Sequence, residues 1–375
     1  MRPYTSGYQI QTYNRGLENL VVTDTRVGQI DGKNSRLMYR GYPLDELADC
    51  CTFEEVAYLI LHGNLPTPQE AAMWDEELKN WRTPPQEAFD ALKYIPSNAH
   101  PLAQYRTMLT IAACHIPEAS RTDMQAQWRR PARILSWSAA LAAGAIRHLN
   151  GKKPLPPKDH FGFSANFLYQ ALGHRVNEHE EKAFDVSLIV QAEHGLHAAA
   201  FAALIVISTG ADLGSAVLAG MGALSGVRHG GANQLAFEDL AQFDQAKEAR
   251  TWAQVKAAGG YRFPGYGHRI YKCPDPRVRV LEPYAKNLLA DKGMTDRWRV
   301  YEAVRGEVES ALGPKGIYAN VDSITGLVYA PIGLPVSSFP IPFCLAIQTG
   351  WMAHCLEYQP RGAMIEPGAV YLKDQ

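Results

Sequence analysis

Apolar residues recur at three- and four-residue intervals along most of the chain, which is the spacing of an α-helix. The spacing is clear in PLDELADCCTFEEVAYLILHG, where TFEE also has the form of a capping box, with Thr52 at the N-cap and Glu55 three residues later. Two further helices, each entered through proline, are predicted in PTPQEAAMWDEELKNWR and PDPRVRVLEPYAKNLLADKG. The pattern therefore predicts a mostly helical chain.

One short region near the N-terminus has a different pattern. In LENLVVTDTRVGQIDGKNSRLMYRGY, two apolar runs flank DGKN, which predicts a small β-hairpin with a tight turn. No strands alternate with helices, so a parallel α/β sheet is not expected. Residues 150–164 are predicted to form a connecting loop. The expected fold class is all-α with a small N-terminal β-hairpin.

The centre of the chain is rich in small residues. Residues 208–226, STGADLGSAVLAGMGALSG, alternate glycine and alanine with apolar side chains, which favours tight packing between helices. The next segment, VRHGGANQLAFEDL, has His229 before two glycines and a predicted helix start. Glycines and free backbone N–H groups there would let a ligand approach closely.

Composition narrows the class of protein. The chain has 375 residues, a net charge of −1, 46% hydrophobic residues and 20% charged residues, which is typical of a soluble globular protein of about two domains. This balance argues against nucleic-acid binding or a membrane-surface role. The N-terminus has no apolar run of a signal peptide, and the most apolar stretch, residues 198–207, is too short to span a membrane. Six cysteines without a C-x-x-C pair predict reduced thiols and a cytoplasmic location.

Candidate chemistry centres on histidines in polar, glycine-rich settings. His194, His229 and His268 lie in QAEHGLHAAA, RHGGAN and PGYGHRIYKCPDPR, and Asp322 begins the helix-like run DSITGLVYAPIG. Taken singly, each histidine is more typical of a hydrogen-bonded core residue, and Asp322 of a helix cap. A metal site built on His194 and His197 has no third ligand at a recognisable spacing, so no metal is predicted.

Taken together, these motifs resemble those of the citrate synthase family, of the short bacterial type that includes 2-methylcitrate synthases. The resemblance runs nearly end to end and includes DGKNSRLMYRGYPLDELA, HPLAQYRTM, GALSGVRHGGAN, PGYGHRIYKCPDPR, NVDSITGLVY and GWMAHCLEY, in the family's order. It implies a two-domain helical fold with the active site in the cleft. The large domain would comprise residues 1–226 and 329–375, and the small domain residues 227–328.

The resemblance implies an enzyme that joins the α-carbon of acetyl-CoA, or of another short acyl-CoA, to the keto carbon of a 2-oxo acid and releases CoA. Asp322 matches the family's base. His229 matches the donor to the thioester oxygen, so its outer nitrogen is expected to carry a proton. His268 matches the residue that protonates the acceptor's keto oxygen. Acyl-CoA would be a co-substrate, and no permanently bound cofactor is implied.

The resemblance also implies where each substrate binds. The CoA-binding residues would be Arg262, Pro264, Gly265, Tyr266, Gly267, Lys272 and Lys315, with the glycines letting the backbone lie against the adenine. Judged by composition alone, the two lysines are more typical of solvated surface charges. On the acceptor side, His194 and Arg277 match residues that hold a carboxylate.

Two other acceptor positions depart from the family pattern. Ile347 and Glu366 occupy positions where the family has arginines, and the second of these reaches the neighbouring subunit of the family's dimer. After His194, many relatives have glutamate and asparagine where this chain has Gly195 and His197. Since an arginine fork cannot be replaced conservatively, these changes predict an acceptor other than ordinary oxaloacetate. A homodimer with shared active sites is expected, with the helices of residues 208–226 and the preceding helix at its interface.

Three alternatives remain open from the sequence. The first is a genuine citrate or 2-methylcitrate synthase in which Arg228, Arg269 or Arg361 replaces the lost arginines. The second is a non-catalytic CoA-binding or assembly protein. The third, more distant, is a metal-dependent lyase or hydrolase built on His194, His197 and His229.

Overall fold

The computed structural model describes residues 15–17, 20–96, 98–116, 129–226 and 229–369. Helices dominate these residues, which confirms the all-α class. The helices of the first half are α1 Leu44–Cys50, α2 Phe53–His62, α3 Pro68–Asn80, α4 Gln86–Asp90, α5 Pro101–Cys114, α6 Arg129–Leu149, α7 Phe163–Leu172 and α8 Glu178–Ile189. Those of the second half are α9 Ala198–Ser208, α10 Leu213–Leu224, α11 Ala232–Ala241, α12 Ala246–Ala258, α13 Pro276–Asp291, α14 Thr295–Leu312, α15 Asp322–Ile332 and α16 Pro340–Tyr358.

The predicted hairpin is present and gains a third short strand. Strands β1 (Gly28–Asp31), β2 (Arg36–Tyr39) and β3 (Tyr42–Pro43) form one antiparallel sheet in the order β1-β2-β3. The Asp31 carboxylate accepts hydrogen bonds from the backbone N–H groups of Lys33 (3.1 Å) and Asn34 (3.0 Å). Local side-chain hydrogen bonds of this kind favour a tight turn, so the DGKN sequence explains the turn.

Helix starts also follow local sequence signals. Thr52 and Glu55 form the predicted capping box at the start of α2. Helix α3 begins with Pro68 behind Thr67, which makes a second capping box with Glu70. Helix α13 begins with proline behind a capping aspartate, as predicted. These signals act within three or four residues, which is why the sequence predicted the first capping box and the two proline starts.

Helix α16 is the centre of the core. It is buried along most of its length and packs against α2, α6, α9 and α10. Close packing with α10 depends on a glycine, because a Cβ on Gly220 would lie 2.6 Å from the ring of Trp351. The small residues of the 208–226 segment therefore serve tight helix packing, as predicted.

Several candidate site residues lie at or next to helix N-termini. His197 precedes α9, Asp275 caps α13, and Asp322 is the first residue of α15. The first backbone N–H groups of a helix have no partner within the helix, so they and the polar side chains next to them can bind other groups. The fold thus concentrates polar groups where loops enter the helical core.

Candidate active site

The glycines of the 264–268 loop let it lie directly against the start of α15. Gly265 (φ 77°) and Gly267 (φ 83°) adopt left-handed backbone conformations that glycine tolerates without strain. A Cβ on Gly265 would lie 2.7 Å from the Cα of Ser323. The Gly267 N–H donates to the Tyr318 carbonyl at 2.8 Å, and Asn320 donates to the carbonyls of both glycines at 2.8 Å. The loop and the helix are therefore joined immediately before the candidate catalytic side chains they carry.

His268 is held as a neutral hydrogen-bond donor. Its Nδ1 accepts from the backbone N–H groups of Ile270 (3.0 Å) and Tyr271 (3.1 Å). A nitrogen that accepts hydrogen bonds carries no proton, so the proton of the neutral ring is on Nε2. Burial, and then the positive charge of Arg277, lower the pKa of His268 to about 4. At neutral pH, His268 can therefore offer an uncharged N–H group to an oxygen.

Asp322 has the properties of a general base. It begins α15, and its backbone N–H donates to the Asn320 side-chain oxygen at 3.0 Å. Burial raises the pKa of Asp322 to about 6, although the charge of Arg277 opposes this rise and Asp275 adds to it. A carboxyl group with this pKa is ionised at pH 7 and is a stronger base than an exposed aspartate.

Arg277 is the buried cation among these residues. Its side chain is 5% exposed and pairs with Asp275, which is 1% exposed, through an Nη2–Oδ2 hydrogen bond of 2.7 Å and an Nε–Oδ1 hydrogen bond of 3.0 Å. Its charge helps to lower the pKa values of His194 and His268 and opposes the rise in the pKa of Asp322. Asp275 occupies the side of the guanidinium that carries Nε and Nη2.

Two buried polar atoms near Arg277 have no hydrogen-bond partner among the described residues. The ring of His194 lies 4.9 Å from that of His268 and 5.5 Å from that of Tyr271, measured between centroids. Within the described chain, His194 Nε2 and the Tyr271 hydroxyl have no hydrogen-bond partner. Burial and Arg277 lower the pKa of His194, so its ring is neutral. Buried polar atoms in native structures usually bind protein groups, ordered water or a ligand, so these two atoms are available to a ligand.

His229 belongs to a second group of rings. Its Nε2 lies 3.1 Å from Nδ1 of His197, and the Nε2 of His197 accepts a hydrogen bond from Nε1 of Trp351 at 3.2 Å. Burial lowers the pKa of His229. Burial and the neighbouring His229 lower the pKa of His197 to about 3. Since His197 also lowers the pKa of His194, the two groups of rings are neighbours through the 194–197 segment.

A buried ion pair lies next to this segment. Oε1 of Glu193 is 3.1 Å from Nε2 of His354, with both side chains at most 2% exposed. Burial alone would raise the pKa of Glu193, but the charge and hydrogen bond of His354 outweigh it and lower the pKa. Ile347, Trp351 and His354 share one face of α16 because they are spaced by four and three residues. The buried Ile347 therefore adds an apolar side chain to the face that meets residues 193–197.

The predicted CoA-binding residues are spread from the site to the surface. Lys272 is exposed, and its Nζ donates to the His268 carbonyl at 3.0 Å. Lys315 is also exposed, and the following Gly316 lies close to the Lys272 side chain, so the two lysines share one rim. Tyr266 pairs with Ala319 in an isolated bridge. The remaining members are the exposed Arg262, the half-buried Pro264 and the two glycines of the loop.

The arginines considered as replacements are distributed differently. Arg361 is exposed and donates to the side chains of Thr23 and Asp24. Arg269 is exposed beside His268, and Arg228 lies outside the described residues. None of the described replacements is buried beside Arg277.

Glu366 lies far from this chain's own histidines. It is exposed in the C-terminal segment, and the preceding Ile365 donates from its backbone to Ser208 at 3.0 Å. Ser208 is the last residue of α9, whereas His197 precedes the first. Eleven helical residues separate the two ends by roughly 15 Å. The backbone contact of Ile365 thus places the C-terminal segment at the end of α9 opposite to His197.

The described part of the chain has neither a metal-site cluster nor a membrane-spanning helix. Among residues 15–17, 20–96, 98–116, 129–226 and 229–369, no three His, Cys, Asp or Glu side chains are grouped as a metal site would require. None of the helices described there is both long enough and apolar enough to cross a membrane.

Sequence reasoning missed two residues of the site. Tyr271 has the unpaired hydroxyl, and Trp351 has the indole that bonds to His197. Tyr271 carries a local signal, because it lies three residues after His268 in the motif. Trp351 has no such signal, since 154 residues separate it from His197.

The sequence is similar to known proteins over nearly its whole length. Residues 16–368 match the family model described as citrate synthase, C-terminal domain. The chain is 31% identical over 357 residues to a citrate synthase of Deinococcus radiodurans, covering 95% of both chains. It is 33% identical over 361 residues to a 2-methylcitrate synthase of Mycobacterium tuberculosis, covering 95% of this chain and 90% of the relative.

Solved structures agree with these relatives. The citrate synthase of Pyrobaculum aerophilum has a TM-score of 0.91 at 29% identity, covering 100% of this chain and 97% of the other. A ternary complex of carboxymethyl coenzyme A and oxaloacetate with the citrate synthase of Thermoplasma acidophilum has a TM-score of 0.92 at 28% identity, covering 97% of each chain.

The fold and the match along the chain define a helical enzyme of the citrate synthase type, which forms a carbon–carbon bond from an acyl-CoA. This chain belongs to the citrate synthase family. The family and the citrate synthase-like fold that the motifs predicted are thereby confirmed.

Proposed function

We propose that this enzyme joins the α-carbon of a short acyl-CoA to the keto carbon of a 2-oxo acid and then releases CoA. The observation that carries the proposal is the junction in which Asn320 binds the carbonyls of Gly265 and Gly267, because it joins the loop that ends in His268 to the start of α15 at Asp322. The ligands named for the Thermoplasma acidophilum complex support acyl-CoA as co-substrate. No permanently bound cofactor is needed for this chemistry.

Each step has a residue suited to it. Asp322 removes the α-proton of the acyl-CoA while His229 donates a hydrogen bond to the thioester oxygen, where negative charge develops. The resulting carbon nucleophile attacks the keto carbon. His268 stabilises and protonates the keto oxygen, which becomes the hydroxyl of the product. Water then hydrolyses the thioester, releasing CoA and leaving a carboxylate.

The acceptor's 2-oxo acid end fits the group around Arg277. Nε2 of His194 and the Tyr271 hydroxyl have no hydrogen-bond partner among the described residues, and the guanidinium of Arg277 supplies a positive charge that acts on both side chains. A carboxylate can accept hydrogen bonds from several such donors at once. We therefore assign acceptor binding to these three residues, of which Tyr271 is new.

The acceptor's far end is proposed to lack a second carboxylate. Ile347 is 1% exposed and apolar, and Glu366 is an anion where the family has a cation. Each missing arginine–carboxylate hydrogen bond removes about 1.5–3 kcal/mol of binding free energy. Together the two losses weaken oxaloacetate binding by about 10²- to 10⁴-fold. A 2-oxo acid with a neutral, apolar or cationic far end fits better.

The alternative is a genuine citrate or 2-methylcitrate synthase. It is favoured by the names of the relatives. It requires a cation that replaces the missing arginines. Among the described candidates, the exposed Arg269 directly follows the site residue His268.

We also propose the assembly and domain division expected from the family. Residues 1–226 and 329–375 would form the large domain and residues 227–328 the small domain. A homodimer is supported by the position of Glu366 at the far end of α9, and CoA binding by the shared rim of Lys272 and Lys315. The cytoplasmic location stays a prediction.

A panel of acceptors tests the proposal. kcat/KM is measured with acetyl-CoA and either oxaloacetate or a series of 2-oxo acids, by following free thiol release. We expect oxaloacetate to be at least about 10²-fold less efficient than the best monocarboxylic or cationic 2-oxo acid. If oxaloacetate is instead the best acceptor, with an efficiency near about 10⁶ M⁻¹s⁻¹, the enzyme is a citrate synthase.

Variants provide the matched control. Ile347→Arg combined with Glu366→Arg should raise kcat/KM for oxaloacetate relative to the other acids. Ile347→Leu with Met364→Arg keeps the core apolar and adds a cation two residues from Glu366, so it should leave the preference unchanged. An equal gain in both double variants would argue against a specific role of positions 347 and 366.

A further inference from the structure

We propose that His197 is a positioning residue that holds His229 in the tautomer with its proton on Nδ1, and that Trp351 in turn fixes the tautomer of His197. The proposal rests on the proposed function, in which His229 is the donor to the thioester oxygen. It depends on two hydrogen bonds in series, Trp351 Nε1 to His197 Nε2 at 3.2 Å and His197 Nδ1 to His229 Nε2 at 3.1 Å.

The direction of the first hydrogen bond is fixed by chemistry. An indole N–H is only ever a donor, so Nε2 of His197 must accept and carries no proton. The neutral ring of His197 then has its proton on Nδ1. Burial and the nearby His229 keep the pKa of His197 near 3, so a doubly protonated ring is not populated at neutral pH.

The second hydrogen bond then follows from the first. Nδ1–H of His197 donates to Nε2 of His229, which must be unprotonated to accept. The single proton of the neutral His229 is therefore on Nδ1. The nitrogen that can donate to the thioester oxygen is then Nδ1, because Nε2 already accepts from His197.

The charged groups around His197 do not disturb this arrangement. Glu193 favours a charged His197, whereas His229, His354 and Arg277 oppose it. Glu193 is already paired with His354 at 3.1 Å. The balance keeps His197 neutral, which is the state in which it can accept from Trp351 and donate to His229 at the same time.

A fixed tautomer matters for enolate formation. In the other tautomer, His229 would point the lone pair of Nδ1, instead of a proton, at any oxygen beside that nitrogen. The N–H of Nε2 would also meet the N–H of His197. A donor that is already oriented needs no reorganisation as charge develops on the thioester oxygen. His197 therefore acts through His229 without touching the substrate.

A conservative substitution at position 197 can supply the same donor. Asparagine Nδ2 is separated from the backbone by the same number of bonds as histidine Nδ1, so it can supply the same donor to His229. It cannot reproduce the contact of the ring's far nitrogen with Trp351. His197→Asn should thus retain the tautomer of His229, whereas His197→Leu removes the donor.

Kinetics test the role of the donor. With acetyl-CoA and the best 2-oxo acid, we expect His197→Leu to lower kcat on the order of 10²-fold while KM for acetyl-CoA changes less than about threefold. His197→Asn should stay within about tenfold of the parent enzyme. His62→Leu, at a half-buried histidine of α2, controls for the loss of an imidazole and should leave kcat unchanged. Equal kcat values for His197→Leu and the parent would overturn the proposal.

Spectroscopy tests the tautomer without relying on turnover. In the full-length protein labelled with ¹⁵N-histidine, and without substrate, the His229 signals are assigned by their loss in His229→Gln. We expect a protonated Nδ1 and a bare Nε2, and a mixture of tautomers in Trp351→Phe. A protonated Nε2 in the parent protein, or an unchanged ratio in Trp351→Phe, would overturn the proposal. If the tautomer is as expected but acetyl-CoA is not consumed with any acceptor, the proposed function fails and the positioning by His197 stands.

Discussion

At the scale of single residues, burial rather than charge pairing sets the chemistry of the site. Burial is the largest influence on the pKa values of Asp322, His268 and His197, and it favours the neutral form of each. Arg277 acts on all three, helping to keep the histidines neutral and Asp322 ionised. The site thus combines an anionic base with neutral donors, which is what enolisation of a thioester requires.

The pKa of Asp322 predicts the pH dependence of proton abstraction. A base must be ionised to accept a proton, so activity should be present above pH 6 and fall as the pH drops through about 6. Because His268 has a pKa of about 4, it stays neutral over that range. The measurement is the rate at which methyl-deuterated acetyl-CoA loses its label, as a function of pH.

Substitution separates Asp322 from a general effect of charge. Asp322→Asn keeps the shape of the side chain and should lower the exchange rate by about 10²-fold or more. Asp244→Asn, at a fully exposed carboxyl group, should leave the rate and its pH profile unchanged. A profile in which exchange falls only below pH 4 would contradict the raised pKa of Asp322.

At the scale of elements, one glycine lets α16 pass beside the buried ion pair. Gly350 lies within α16, and a Cβ added there would be 2.1 Å from Oε2 of Glu193. Its N–H also donates to the Ala192 carbonyl at 3.0 Å, outside the helix. The Glu193–His354 pair and the 193–197 segment can approach α16 only because no side chain is present at this position.

Gly350→Ala should therefore destabilise the protein, although alanine is the better helix former. Displacing Glu193 from His354 leaves buried charges unpaired, and we expect the free energy of unfolding to fall by at least about 2 kcal/mol. Gly306→Ala is the matched control, because Gly306 lies inside α14 with nothing within 4 Å of an added Cβ, and it should gain about 0.5–1 kcal/mol. Urea denaturation at one protein concentration measures both, and a stable Gly350→Ala would show that Glu193 can move at little cost.

At the scale of the whole molecule, the C-terminal segment lies at the end of α9 that is remote from His197. Glu366 lies at the end of α9 opposite to His197, and α9 is apolar along its length. Both features fit a dimer in which the C-terminal segment of one subunit approaches the site of the other.

We expect light scattering to give twice the chain mass of 41.5 kDa. We also expect complementation. A chain with Asp322→Asn and a chain ended after Gly362 should each be inactive alone but should regain activity when they are coexpressed. The mixed dimer then has one site that combines an intact Asp322 with an intact C-terminal segment. A monomer, or coexpressed chains without activity, would contradict shared sites.

The sequence by itself determined the features whose causes are local. The turn at DGKN, the capping box of Thr52 and Glu55, and the proline start of α13 depend on hydrogen bonds and backbone preferences within a few residues. The order and spacing of the histidine and aspartate motifs sufficed for the family. These motifs alone predict His268, Arg277 and Asp322 as site residues.

Only the tertiary structure decided the states of those residues. The tautomer of His229 follows from Trp351 and His197, which are 154 residues apart, and the Glu193–His354 pair joins residues 161 apart. Burial, which sets the pKa of Asp322, and the distance of Glu366 from its own chain's site likewise depend on how helices pack. Proton positions and electrostatic free energies are properties of neighbours in space, and for these residues the neighbours in space are distant in sequence.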